Sequence, residues 1–98
     1  MAEYYLTDEA HADLVDIAGR TFERWGEQQE EKYIGELYRR FADLAANINL
    51  SRACDELRKG LRRIGQGSHV VYFRTVGEDV EIVRILHERM LPEKHLKF

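Results

Sequence analysis

From Asp8 onward, apolar positions return every three or four residues. Leu14, Ile17, Ala18, Thr21, Phe22 and Trp25 share one face of a helix over 8–25, and Asp13, Asp16, Arg20 and Glu23 fall mostly outward. Thr7-Asp8-Glu9 supplies an N-cap and acids for the first turn. Gly26 provides the positive-φ position that commonly ends a helix, and the Glu27–Glu31 run opens a second one. There Ile34, Leu37, Phe41 and Leu44 form a stripe that Tyr33, Tyr38 and Ala45 widen. Two helices joined at one glycine lie antiparallel, so residues 8–46 read as a helical hairpin, ended by Asn47-Ile48-Asn49.

Elsewhere the period drops to two. Glu3–Leu6 is short and aromatic and suits a first strand. Residues 48–60 lack clean periodicity and read as a connecting loop with a helical turn around Asp55-Glu56-Leu57. Leu61–Ile64 reads as a strand and Gly65–Ser68 as a turn. Residues 69–75 and 80–86 are β-branched and aromatic, and Gly77-Glu78 is a two-residue turn with glycine first, so 69–86 is a hairpin. Counting back from that turn pairs Arg74 with Glu81, Tyr72 with Val83 and Val70 with Ile85 on one face. On the other face it pairs Phe73 with Ile82 and Val71 with Arg84. The expected fold is α+β, in the order β-α-α-β-β-β: an antiparallel sheet with an N-terminal helical hairpin packed on it and a short C-terminal tail. Residues 1–98 form a single domain.

Composition narrows the setting. With 44% apolar and 34% charged residues among 98, this is a folding chain, not a disordered one. Its one cysteine, Cys54, has no general base beside it, makes no internal disulfide and reads as a packing residue in a reducing, cytoplasmic protein. No uncharged apolar run approaches the roughly 18 residues of a membrane span, and no basic n-region opens the chain, so neither membrane insertion nor secretion is expected. His11, His69, His87 and His95 lack the close spacing of metal ligands, and Gly65-x-Gly67 precedes a strand instead of a helix. No catalytic residue, metal or cofactor is therefore assigned.

Charge is uneven along the chain. Residues 1–49 carry 11 acidic and 5 basic side chains, and residues 50–98 carry 7 acidic and 10 basic. The positive half, with Arg58, Lys59, Arg62, Arg63, Arg74, Arg84 and Arg89, suits an acidic or phosphate-bearing partner. The second helix has more apolar surface around Tyr33, Leu37, Tyr38 and Phe41 than one sheet face requires. Core packing is the default there, and a groove for a partner helix is the alternative.

Three strings together resemble the ParE toxins of the RelE/ParE type II toxin–antitoxin superfamily. They are Arg52-x-x-Asp55-Glu56-Leu57-Arg58-x-Gly60-Leu61-Arg62, Gly67-x-His69-Val70-Val71-Tyr72-Phe73-Arg74, and Ile82-x-Arg84-Ile85-Leu86-His87-x-Arg89-Met90 with His95-Leu96 beyond. Ala12-Asp13-Leu14 and Trp25-Gly26-x-x-Gln29 extend the likeness over almost the whole chain. Lys59 departs from it, standing where the family often has proline, and so does Cys54, at a position that varies. The resemblance implies a bacterial toxin of plasmid or chromosome maintenance, neutralised by a ParD-like antitoxin and inhibiting DNA gyrase, with no direct specific nucleic-acid binding. The ribonuclease branch, similar to RelE, carries a tyrosine shortly after the last strand, and here Met90-Leu91-Pro92 fills that place.

Three readings follow. The first is a binding protein that inhibits gyrase. The second is a ribosome-dependent mRNA endonuclease with Arg58, Arg62, Arg84 and His87 around a phosphate. The third is a docking partner for a DNA-binding antitoxin. For the first, His87, Arg89, Met90, Lys94 and His95, in the segment 87–98 after the final strand, are the candidates for gyrase inhibition. Tyr33, Leu37, Tyr38, Phe41, Arg58, Arg62, Arg74 and Arg84 are the candidates for antitoxin binding.

Overall fold

The computed structural model describes residues 2–96. Lys97 and Phe98, the end of the candidate inhibitory segment, lie outside the described residues. Strand β1 (Tyr4–Leu6) leads into helix α1 (Asp8–Trp25) and helix α2 (Glu27–Ala46). A 3-10 turn (Ile48–Leu50), strands β2 (Arg52–Ala53), β3 (Arg62–Gln66), β4 (His69–Val76) and β5 (Asp79–His87), and a short helix α3 (Pro92–His95) complete the chain.

The helices begin and end where their chemistry directs. The Ala10 amide donates to Thr7 Oγ1 at 3.0 Å, and the Thr7 hydroxyl donates to the Val83 carbonyl at 2.8 Å, so one side chain caps α1 and ties it to β5. Gly26, at φ 89°, closes α1 by donating to the Phe22 carbonyl and opens α2. Pro92 occupies the first turn of α3, where a missing N–H costs nothing.

The sheet order is β1-β5-β4-β3-β2. The fold class is as expected, with two differences. First, β1 joins β5 in parallel, Tyr4 opposite Val80, so the sheet is mixed at that edge. Second, residues 48–60 contain the two-residue strand β2, which pairs with β3 and is too short to carry an alternating pattern. The expected turn near Leu57 is present, with the Leu57 and Arg58 amides both donating to the Cys54 carbonyl. β3 continues to Gln66, which pairs with His69 and narrows the β3–β4 turn to Gly67-Ser68.

The β4–β5 register is right near its turn and wrong beyond it. Arg74 faces Glu81 and Phe73 faces Ile82, but the ladder then shifts, and Tyr72 faces Arg84, Val71 faces Ile85 and Val70 faces Leu86. One extra residue on β5 forms a bulge, which turns later side chains to the opposite face. The shift keeps Val80, Ile82 and Ile85 together under the helices with Leu14, Leu37, Phe41, Val71 and Phe73. Val83 packs on the other face, near Cys54, Leu61, Tyr72, Leu86 and Leu96.

Candidate functional site

The bulge also sets the position of Arg84. Its Nε and Nη2 donate to the two Asp13 carboxylate oxygens at 2.8 and 2.9 Å, and Nη1 donates to the His95 carbonyl at 2.6 Å. Asp13 accepts in addition from the Ile85 amide at 2.9 Å. The two side chains are only 18% and 15% exposed, and the hydrogen bond to Asp13 raises the Arg84 pKa further above its ordinary value. Three parts of the chain therefore meet at one guanidinium: α1, β5 and the C-terminal turn. Asp13, expected to point outward, faces the edge of β5 that the short β1 leaves open. The cue for this is its place one residue before buried Leu14 and three after buried Ala10.

Arg84 also lines a cleft of about 390 Å³. Tyr72, Arg74 and Arg84 share the sheet face turned away from the helical hairpin, and the cleft opens there. Its walls come from the start of α1 (Thr7, Glu9), the turn before β3 (Arg58, Lys59, Gly60, Leu61) and β4–β5 (Arg74, Thr75, Glu81, Val83). Among the described residues, four cations against two carboxylates make it a positive cleft with apolar walls at Leu61 and Val83, a setting for an acidic side chain. Arg74 bonds Glu81 through Nε at 2.6 Å and stays exposed, as the turn register predicts.

The other predicted residues are dispersed. Arg62 donates to Ser51 Oγ at 2.8 Å and to the Ser51 carbonyl at 3.1 Å, holding the 3-10 turn to β3. Leu37 and Phe41 are 0% exposed. They are core residues beneath α2, and the expected open groove around Tyr33, Leu37, Tyr38 and Phe41 is filled by the chain's own sheet. Only Tyr38 of the four is exposed. Phe22 and Trp25, expected on the buried face of α1, are exposed as well.

Tyr33 is half-buried against the β3–β4 turn. Its Oη lies 2.7 Å from both the Gln66 carbonyl and His69 Nδ1. A carbonyl only accepts, so the Tyr33 hydroxyl donates to Gln66 and His69 donates through Nδ1–H to Tyr33, which fixes the His69 tautomer. Burial raises the Tyr33 pKa. It lowers that of His69, with His87 5.5 Å away ring to ring adding to the effect. Cys54 is fully buried, and burial raises its thiol pKa, as befits a packing residue.

Beyond β5, Arg89, Met90, Leu91 and Lys94 are exposed, while His87 and His95 are half-buried. Leu96 is buried in the second cluster, so the C-terminal turn is anchored at its far end, by Leu96 and by the Arg84 bond to His95. His87 lines a smaller cavity with His69, Asp13, Asp16, Arg20 and Met90, separate from the cationic cleft. Among the described residues no group of three or more His, Cys, Asp or Glu is arranged to hold a metal ion, and no helix is long and apolar enough to cross a membrane.

The family model for the ParE toxin of the type II toxin–antitoxin system, parDE, matches residues 4–92. The chain belongs to the ParE toxin family. It is 41% identical over 96 residues to the toxin ParE1 of Mycobacterium tuberculosis, covering 97% of this chain and 98% of that one. Identity to the toxin ParE1 of Caulobacter vibrioides is also 41% over 96 residues, covering 98% and 99%. To the toxin ParE of Escherichia coli it is 40% over 91 residues, covering 92% and 88%. A solved structure described as the chromosomal ParDE TA system from P. aeruginosa superimposes with a TM-score of 0.73, covering 89% of this chain and 95% of that one. At 21% identity that likeness speaks for the fold alone. In this ParE-family chain the family strings fall on structural joints: Asp13 and Arg84 at the guanidinium hub, Arg62 at Ser51, and Gly67 and His69 at the Tyr33 contact.

Proposed function

We propose that this chain is a toxin that inhibits DNA gyrase by binding, without catalysing a reaction of its own, and that a ParD-like antitoxin neutralises it in the bacterial cytoplasm. The observation that carries the non-catalytic part is the separation of the endonuclease constellation. Arg58 and Arg84 line one cleft, His87 lines another cavity, and Arg62 is tied to Ser51. Phosphoryl transfer needs cations and a proton-moving group around one phosphate, and these residues do not converge on one.

The C-terminal turn is the proposed inhibitory surface, with Arg89, Met90 and Lys94 projecting and His87 and His95 supporting them. The antitoxin's acidic side chains suit the cleft lined by Arg58, Arg74 and Arg84, while Arg62 acts from within the fold. Purified gyrase supercoiling, run beside mRNA cleavage during translation, tests the reading. Inhibition of supercoiling that Arg89→Ala or Lys94→Ala weakens, with antitoxin binding intact, is the expected result. Cleavage of mRNA with supercoiling untouched would replace it by the endonuclease reading. Weaker antitoxin binding at higher salt is the expected mark of the cleft.

A further inference from the structure

Helix α1 carries two apolar seams, and the described residues of the chain bury only one. Ala10, Leu14 and Ile17 are buried beneath the helix. Beside them Val15, Ala18, Phe22 and Trp25 follow at intervals of three, four and three residues. That spacing draws a narrow stripe of the kind one helix presents to another. Val15, Phe22 and Trp25 are 61%, 53% and 66% exposed. Single exposed apolar side chains are ordinary, but three large ones aligned along one helix make a contiguous patch.

Gly19 borders this stripe in the middle of the 18-residue helix. A Cβ there would meet nothing within 4 Å, and its φ is not among the positive ones. Nothing among the described residues requires glycine at that point, although glycine weakens a helix interior. One heptad earlier the same flank holds Ala12. These small residues let a second backbone come close before Asp16 and Glu23 are reached.

We propose that this seam docks an amphipathic helix of a protein partner, one whose apolar 3-4 seam is flanked by lysine or arginine. Charge selects this occupant. Helix α1 holds Asp8, Glu9, Asp13, Asp16 and Glu23 against Arg20 and Arg24. Arg20 pairs with Asp16, Arg84 takes up Asp13, and the Arg24 guanidinium lies 5.4 Å from the centre of the Trp25 ring. Glu23, and Glu27, Glu30 and Glu31 across the Gly26 corner, leave the Trp25 end negative. A second copy of this chain would bring the same acids to the seam, and an anionic membrane would be repelled by them. The seam shares no residue with the cationic cleft, so it does not depend on the gyrase or antitoxin reading.

Trp25 is the only tryptophan in the chain, so its emission reports burial of the seam. The experiment titrates the full chain with a synthetic helical peptide bearing leucines at 3-4 spacing and lysines on both flanks, and with a twin bearing glutamates instead. A saturable blue shift with the lysine peptide, weaker at high salt, is expected. Phe22→Ser should weaken it about tenfold or more with helix content unchanged, and Val15→Ser gives the same readout if Phe22→Ser loses helicity. Glu23→Lys combined with Glu27→Lys should shift the preference toward the glutamate twin. No saturable shift with the lysine peptide, or equal shifts with both, overturns the proposal. A blue shift that grows with protein concentration alone assigns the seam to a second copy and overturns it too.

Discussion

The two ends of the β4–β5 hairpin carry the same kind of ion pair in opposite settings. Near the turn, Arg74 reaches across the ladder to Glu81 and remains exposed. Past the bulge, Arg84 leaves the ladder for Asp13 of α1 and the His95 carbonyl, both largely out of water. The first pair decorates a register that the turn already sets. The second joins α1, β5 and the C-terminal turn at one guanidinium, and with them the surface proposed for inhibition. Removing one partner of a half-buried charge pair leaves the other desolvated, whereas an exposed pair exchanges its partner for water.

Breaking that contrast at its stronger end should give the largest effect. Arg84→Ala leaves Asp13 half-buried without its bidentate partner and frees the His95 carbonyl. The expected loss is about 2–4 kcal/mol, at or just below the range for breaking a fully buried pair. Urea unfolding measures the loss, and amide exchange at residues 91–96 should rise with it. A stability within about 0.5 kcal/mol of the parent would mean that the hub contributes geometry without stability.

Next in size is Gly67, between β3 and β4. Its φ is +58°, and an added Cβ would sit 2.6 Å from Tyr33 Oη. Gly67→Ala should cost about 1–3 kcal/mol. Gly67→Asn separates the two causes, because asparagine tolerates the left-handed conformation but not the contact. An asparagine variant as unstable as the alanine one assigns the loss to Tyr33, and a milder one assigns it to backbone strain.

How much could be read in advance follows the same division. The helical hairpin, the Gly26 corner and the Gly77-Glu78 turn were legible because period and turn chemistry are local. Arg74–Glu81 was legible because it is the third pair from that turn and precedes the bulge. The bulge was not, since Val83 is as apolar as Ile82 before it and Ile85 beyond it, and one inserted residue changes the face of everything after it. Arg62 and Arg84 looked like free cations because sequence shows charge but not the oxygen atoms of Ser51, Asp13 and His95 that surround them. Whether α2 packs as core or offers a groove was not legible for a related reason: helical spacing marks an apolar face but does not say that a sheet already covers it at Leu37 and Phe41. On α1 the same blindness ran the other way, hiding the exposure of Phe22 and Trp25.

A smaller effect is expected from pH. His69 has a pKa below its ordinary value of 6.5, chiefly through burial and then through His87. Between the lowered folded value and 6.5 the unfolded chain binds more protons, so stability is fully present above that window and declines as pH falls through it. Asp13 and Glu88 oppose the shift, and Tyr33 keeps its hydrogen bond because His69 Nδ1 donates in both protonation states. Unfolding curves between pH 7.5 and pH 5 should therefore slope less in His69→Gln than in the parent. Parallel slopes would show that His69 is not the group responsible.

The smallest effect is expected at the weaker end of the comparison, where exchanging Arg74 and Glu81 keeps opposite charges opposed across the same rung. The pair is solvated on Arg74's side, its Coulomb attraction is screened, and the register is already fixed by Gly77 at φ +62° and by Phe73 opposite Ile82. The swapped protein should unfold at the same denaturant concentration as the parent within measurement error. Both residues nevertheless line the cationic cleft, and the swap moves a carboxylate to the Arg74 position and a cation to the Glu81 position. Antitoxin affinity should therefore change while stability does not. A swap that changes neither would take the pair out of the binding surface, and one that unfolds the chain would show that the turn alone does not hold the register.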